Sequence, residues 1–366
     1  MLKNIFFLFF FLISGLSFAQ LKNDLYSLDF NMGYNLSRVE SNYFFEENMP
    51  LSFQFNWQKS NFYKQESLNN FSYSDFGISL LFHHYYNKEL GTNYGVFAFM
   101  EFYLIRPVHK LSLSFRLSQG IAYNTKRYDK QKNPKNYFFG THLSLPINLF
   151  FYLRYPKIIE NFGAQIGVGI FHYSNANLGS PNYGSNIPSI SFGINYDIRK
   201  SPPDLISEKL IYDKKWHLYT LMRFGLNESD YIGSGQYPFY IPGIQMEKFL
   251  NSRHKLNMGL ELFLSYFLKE QIVYESEAFH EFQVDKETDF KRLGVYASYE
   301  FYFRKFGLDF GLGYYLYYPY HFETRYYNRI LLKFYISQKL QLGYSLKFHH
   351  FSRAEALEFF VGYSIF

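Results

Sequence analysis

Apolar residues recur at every second position through most of this chain, and that alternation limits what it can fold into. Over 255–268 the even positions are Leu256, Met258, Leu260, Leu262, Leu264, Tyr266 and Leu268, set against Lys255, Asn257, Gly259, Glu261, Phe263, Ser265 and Phe267. Over 307–316, Leu308, Phe310, Leu312, Tyr314 and Leu316 oppose Gly307, Asp309, Gly311, Gly313 and Tyr315. In 111–118, Leu111, Leu113, Phe115 and Leu117 alternate with Ser112, Ser114, Arg116 and Ser118. A helix would scatter these residues around its circumference, whereas a strand sorts them onto two faces. Aromatic residues make up 23% of the chain, yet the mean hydropathy is −0.23, because polar residues are interleaved throughout. One face in lipid and the other in a polar interior is the pattern of a transmembrane β-barrel, whose strands cross in roughly 9–11 residues.

Turn punctuation divides the pattern into about sixteen strands, an even number that suits an all-β, antiparallel outer-membrane barrel. With the N-terminus on the periplasmic side, the long connections 125–137, 175–186, 228–236 and 269–287 all fall outside. The stretch Arg199 to Lys215, with Pro202-Pro203, separates eight strands from eight. The halves also close alike, one on Phe171-His172-Tyr173-Ser174 and the other on His350-Phe351-Ser352, which suggests an internal duplication. Two eight-stranded barrels or one of sixteen would both satisfy the pattern. A single barrel is favoured, because a chain in lipid must remove its free strand edges. Ahead of the strands, Lys3, the apolar run Ile5 to Leu16 and Ser17-Phe18-Ala19 read as a cleaved signal peptide. The expected organisation is a signal peptide at 1–19, a first half at 20–198, a linker at 199–215 and a second half at 216–366. Location in a Gram-negative outer membrane follows. The absence of cysteine excludes disulfide and thiolate chemistry.

Chemistry concentrates at the end of the seventh expected strand, 161–174. Phe162, Ala164, Ile166, Val168 and Ile170 form its lipid-facing set, and His172 and Ser174 continue the same parity. Their Cα atoms should lie roughly 6.6–7 Å apart on one face. A base beside a hydroxyl is the minimal activated nucleophile. Asn186 shares parity with Ile190, Phe192 and Ile194 on the next strand, so it falls on the same surface as a third member that can orient the imidazole. The plain alternative is a polar strand end that meets headgroup water and catalyses nothing.

The run His172-x-Ser174-Asn175-Ala176, followed by Pro181-Asn182-x-Gly184, resembles the lipid A 3-O-deacylase family of outer-membrane acyloxyacyl hydrolases. Asn133-Pro134-Lys135-Asn136 and the stretch from Leu346-Lys347-Phe348-His349-His350 to Gly362-Tyr363 resemble its longer, Bacteroidetes-type members. The likeness is strongest over 110–198. It implies ester hydrolysis at the outer face of an eight-stranded barrel, with Ser174 as nucleophile, His172 as general base and Asn175 in the oxyanion hole. Where the family carries a Glu, this chain has Asn186. An Asn can orient the His but cannot stabilise imidazolium by charge, a change that can cost on the order of 10⁴ in rate.

The second half offers a fainter copy. His350 and Ser352 continue the apolar face of 341–352, and Glu355 shares parity with Leu357 and Phe359 on 357–366. Arg353 and Ala354 follow Ser352, so no Asn stands where Asn175 stands in the first half. His83-His84 and His349-His350 diverge by alternation, and neither has metal-ligand spacing. The acidic stretch Glu270, Glu275, Glu277, Glu281, Asp285, Glu287 and Asp289 reads as a solvated loop, with binding of a divalent cation as the alternative. The leading expectation is a cofactor-independent serine esterase, with no metal, acting on lipid A or a related outer-leaflet lipid. The rival is a non-catalytic barrel, either a channel or a structural protein, with a degenerate site. Expected partners are lipopolysaccharide, the membrane and the barrel-assembly machinery, with a homodimer as a further candidate and no nucleic acid.

Overall fold

The computed structural model describes residues 24–36, 49–60, 74–105, 111–199, 212–229, 231–303, 305–350 and 353–365. The expected signal peptide and Ser352 lie outside these residues. The first half forms β1 (Asp24–Gly33), β2 (Leu51–Ser60), β3 (Ser74–His84), β4 (Thr92–Ile105), β5 (Ser112–Asn124), β6 (Leu143–Ser144), β7 (Ile147–Ile159), β8 (Phe162–Tyr173) and β9 (Ser185–Asp197). Neighbours are antiparallel. β4 pairs with β5, and β1 closes on β9 from Leu25↔Asp197 to Gly33↔Ser189. The second half forms β10 (Trp216–Glu228), β11 (Gln236–Asn251), β12 (His254–Ser265), β13 (Arg292–Phe303), β14 (Phe306–Tyr317), β15 (Tyr326–Tyr335), β16 (Leu340–His349) and β17 (Arg353–Ser364). It closes through β10 and β17.

The chain therefore builds two closed barrels of eight long strands, and the expected single barrel of sixteen is corrected. The edge argument behind that expectation is satisfied twice over, because the first and last strand of each half hydrogen-bond to each other. Eight strands leave an interior just wide enough for side chains to fill. In the first barrel the buried Glu101 pairs with Arg116 at 2.6 Å and Arg154 at 3.0 Å, while Gln165 Nε2 donates to Asp29 at 2.5 Å. In the second, Glu261 pairs with Arg223 at 2.7 Å and Arg329 at 2.8 Å, and Lys333 with Glu300 at 2.7 Å. A void beside Arg223, Tyr296, Asp309 and Arg329 measures about 10 Å³, room for roughly one water. Such filled interiors weigh against the channel reading. Outside, Leu28, Phe53, Ile78, Val96, Ile166 and Ile194 stand exposed as the lipid-facing surface expected from the alternation.

Three elements depart from the periodicity. The expected strand 138–154 is broken into β6 and β7 at Leu145-Pro146: Pro146 has no N–H for the ladder, and the Leu145 N–H donates to Ser174 O instead. The expected strand 255–268 stops at Ser265, where helix α1 (Tyr266–Ala278) begins. Phe267, Leu268 and Ile272 lie on its inner face and pack on Tyr320 and Phe322, so the apparent continuation of the alternation at Tyr266 and Leu268 is coincidental. The acidic stretch is partly in this helix, and Glu275 is buried, accepting from Tyr320 Oη at 2.7 Å and Tyr231 Oη at 3.0 Å. No three metal-ligating side chains cluster among the described residues. In the third case β16 ends at His349 rather than 352, and β17 begins at Arg353 with a register shift beside Lys347 and Phe348.

Candidate active site

β8 and β9 bring two of the expected residues, His172 and Asn186, into contact. His172 and Asn186 are direct cross-strand partners, and His172 Nδ1 lies 2.7 Å from Asn186 Oδ1. An amide oxygen can only accept, so this contact places the proton on Nδ1 and leaves Nε2 as the basic nitrogen. Tyr173 points into the barrel and is fully buried, which leaves His172 and Ser174 on the outer surface, each half-buried. Ile147 on β7 pairs with His172, and the exposed Leu36 pairs with Asn186.

The loop after Ser174 is shaped by side-chain amides. Ser174 Oγ accepts from Asn182 Nδ2 and from the Ala176 N–H, each at 3.1 Å. Asn182 Oδ1 also accepts the Asn175 N–H at 3.0 Å, so one carboxamide ties the hydroxyl and its following main chain together. Sequence reasoning assigned Asn182 no role. Only its place in the Pro181-Asn182-x-Gly184 run marked it. The Asn175 side chain is buried and donates to Gly179 O at 2.7 Å, so its carboxamide holds the loop's shape.

Gly184 lies close to both His172 and Ser174. A Cβ there would lie 3.6 Å from His172 Cε1, 3.7 Å from Ser174 Cβ and only 2.8 Å from Tyr173 O. Its φ of +68° is left-handed, a region glycine enters without steric penalty. A side chain at this position would strain the turn and press against Tyr173 O.

The second barrel reaches into this loop. Asn177 Nδ2 donates to Glu228 O at 2.9 Å, and the Glu228 N–H donates to Asn177 O at 3.1 Å. Glu228 Oε2 accepts the Ser180 N–H at 2.9 Å, while Ser180 Oγ donates to Ser229 O at 2.8 Å and Gln236 Nε2 donates to Leu178 O. Ala176 and Asn177 take left-handed φ of 52° and 65°, a conformation that costs a non-glycine residue roughly 1–2 kcal/mol. The contacts from β10 and the β10–β11 connection therefore brace a strained segment directly behind Ser174.

The fainter copy is not assembled in the same way. His350 lies in the turn after β16 with φ 50°, and its exposed ring stands 3.8 Å from Glu323. Glu355 turns inward, contrary to its expected lipid-facing parity. The register shift places Ala356 opposite Lys347 and Ala354 opposite Phe348, so Glu355 and Ala356 both lie inside. There Glu355 pairs with Arg292 at 2.7 Å, Lys347 at 2.6 Å and His349 at 2.7 Å. Arg353 pairs with Glu323 at 2.5 Å. His83 and His84 diverge as expected, the first toward Tyr173 Oη at 2.9 Å and the second toward Thr92 Oγ1 at 2.7 Å.

Comparison with family models decides the wider assignment. Residues 51–195 match the lipid A 3-O-deacylase model, and residues 214–366 match the acyloxyacyl hydrolase C-terminal domain. The chain belongs to the lipid A 3-O-deacylase family. That places it among integral outer-membrane hydrolases and fits the barrel fold. Among solved structures, the outer membrane enzyme PagL is similar at 13% identity and a TM-score of 0.33, covering 46% of this chain and 97% of its own. The β domain of the Bordetella autotransporter BrkA gives 7% identity and a TM-score of 0.24, covering 94% of this chain and 99% of its own. A mutant Rh. blastica porin gives 6% and 0.18, covering 93% and 100%. Superpositions this loose carry no functional argument. The comparison with curated proteins gives no match.

Proposed function

We propose that this outer-membrane hydrolase removes an ester-linked acyl chain from lipid A or a related outer-leaflet lipid, with Ser174 as nucleophile. The observation that carries this reading is the His172–Asn186 pair on the lipid-facing surface, with a Cβ at Gly184 falling within 3.7 Å of both His172 Cε1 and Ser174 Cβ. His172 Nε2 takes the Ser174 proton as Oγ bonds to the acyl carbonyl carbon. The adjacent main-chain donors are the Asn175 and Ala176 N–H groups, which would have to turn from Asn182 Oδ1 and Ser174 Oγ to receive the resulting oxyanion. Collapse breaks the ester C–O bond, and the imidazolium returns its proton to the departing alkoxide. Water then attacks the acyl-serine with His172 again as base, releasing the fatty acid and restoring the hydroxyl. Asn186 orients His172 throughout without supplying charge, so the turnover should be slow for this class of site.

Mass spectrometry of lipid A incubated with the refolded chain and with Ser174→Ala tests the proposal. Loss of one hydroxyacyl mass with the parent chain alone supports it. Intact lipid A in the presence of a folded parent barrel would favour the non-catalytic reading.

A further inference from the structure

The site-bearing end of the first barrel carries a second, differently charged feature. The β3–β4 and β5–β6 connections enclose an open cleft of about 660 Å³, with Lys88, Lys126, Arg127, Lys132, Lys135 and His142 in its wall. Only Glu89 and Asp129 oppose these cations within the lining. Lys126, Arg127, Lys132 and Lys135 make no ion pair within 4 Å among the described residues, and Lys88 meets only Glu89, at 3.6 Å. Asp129 Oδ1 accepts the Lys132 and Gln131 N–H groups at 2.8 and 2.9 Å. Those bonds, with the nearby Lys132 and Arg127 charges, hold its carboxyl below the usual range, so it stays ionised and offsets part of the excess.

The cations are carried on a built scaffold. Asn136 is fully buried, and its Nδ2 donates to Glu89 O at 2.9 Å and Lys126 O at 3.2 Å. Asn133 Nδ2 donates to Glu89 O and Arg127 O, both at 2.9 Å. Two side-chain amides thus pin the backbones beneath the charges and bind one connection to the other. Like charges gathered on a fixed frame repel, and an anion in the cleft relieves that repulsion.

The cleft also shares its scaffold with the candidate active site. Tyr137 stacks on Tyr183 with ring centroids 5.7 Å apart, and the Tyr183 N–H donates to Tyr137 O at 3.1 Å. Gly140 packs so closely that a Cβ would lie 2.5 Å from Pro181 O and 2.6 Å from Gly179 O. The Leu145 N–H reaches Ser174 O at 2.7 Å, and His142 lies only three residues upstream, at most about 10 Å of chain. An acyl ester at Ser174 belongs to a lipid whose polar headgroup must lie beyond the strand ends, at the level of these connections.

We infer that this cleft binds a phosphate group on the sugar headgroup of the lipid whose acyl ester is presented to Ser174. The inference rests on the proposed esterase reading. A phosphate offers several charged acceptor oxygens to Lys126, Lys132 and Lys135, and Arg127 can engage two of them side by side. Binding at two separated points, acyl chain on the barrel wall and anion in the cleft, selects both the lipid class and its orientation.

The test uses full-length Ser174→Ala, which binds without turnover, in dodecyl maltoside micelles at low salt. The probes are a monophosphorylated glucosamine disaccharide lipid with ester-linked hydroxyacyl chains and the same lipid after phosphatase treatment. The phosphorylated lipid should bind at least tenfold more tightly, and the preference should shrink as salt rises. Adding Lys126→Gln, Arg127→Gln, Lys132→Gln and Lys135→Gln should abolish the preference, with retained heat-modifiable migration on gels reporting a folded barrel. Equal binding of both lipids by Ser174→Ala, or full preference in the folded neutralised variant, would overturn the inference. Competition by inorganic phosphate would show that the free anion suffices. Loss of preference in the variant without such competition would assign recognition to the lipid-borne group. A phosphate preference without hydrolysis by the parent chain would sink the esterase reading alone, and hydrolysis without preference would sink this inference alone.

Discussion

Glu228→Ala would disconnect the second barrel's carboxylate from the loop behind Ser174. The change removes the 2.9 Å acceptor of the Ser180 N–H and the longer contacts from the Gly233 and Gly235 N–H groups at 3.2 and 3.4 Å. A hydrogen bond to a charged acceptor contributes about 1.5–3 kcal/mol, and the two longer contacts lie within the β10–β11 connection itself. The main-chain bonds between Asn177 and Glu228, and the bond from Ser180 Oγ to Ser229 O, survive the substitution. The Ser180 N–H is only partly buried and regains some hydration, so the low end, about 1.5 kcal/mol, is the appropriate loss. If that energy serves to position the Ser174 loop in the transition state, kcat falls about tenfold. KM should stay within about twofold, because the acyl-binding surface of the first barrel is untouched. Fatty-acid release measured against lipid concentration in micelles separates the two constants. Glu228→Gln, which keeps one carbonyl oxygen for the Ser180 N–H, should recover most of the loss. A folded Glu228→Ala with unchanged kcat would refute the bracing argument. So would an equal fall in Tyr344→Phe, which breaks only the 2.9 Å bond from Tyr344 Oη to Gln119 Oε1 between the barrels.

Asn186→Glu supplies a carboxylate to the imidazole and should raise kcat at least tenfold in the same assay, and a fall would show that its geometry does not admit a carboxylate. Gly184→Ala must strain a left-handed turn and push against Tyr173 O, so activity should drop more than tenfold while both barrels stay folded by gel migration. Glu101→Gln leaves Arg116 and Arg154 without their carboxylate and should lower stability by about 3–5 kcal/mol, read as an earlier urea midpoint. His350→Ala should leave kcat unchanged, since its ring meets Glu323 rather than Glu355.

Which residues face lipid was readable from alternation, because a membrane strand must sort its side chains by face. Phe162, Ile166 and Val168 stand outside while Gln165 and Tyr173 are buried. The His172–Asn186 pairing followed from the same parity and from strand adjacency. Closure did not, since the pairing of β1 with β9 rather than with a distant strand depends on curvature and register, which period two leaves open. Glu355 was misplaced by a bulge, which shifts parity without any glycine or proline to announce it. Asn182 escaped notice because it acts from an irregular loop, where no period specifies direction. Ser265 begins α1 without a side-chain capping bond, so the strand-to-helix change carried no local signal either.

Closing the barrel twice also changes what the membrane must tolerate while the chain inserts. The first seam joins 24–33 to 185–197, so one cylinder can be finished before the residues beyond 216 have paired. A single cylinder would have kept β1 waiting for β17. Loop-closure entropy separates these routes little, since doubling the loop costs only about 0.6 kcal/mol. The larger difference is exposure: unpaired backbone along an open edge invites pairing with other chains for as long as it persists. Halving the sheet that must stay open shortens that hazard. It also lets the second cylinder assemble beside a wall that is already complete.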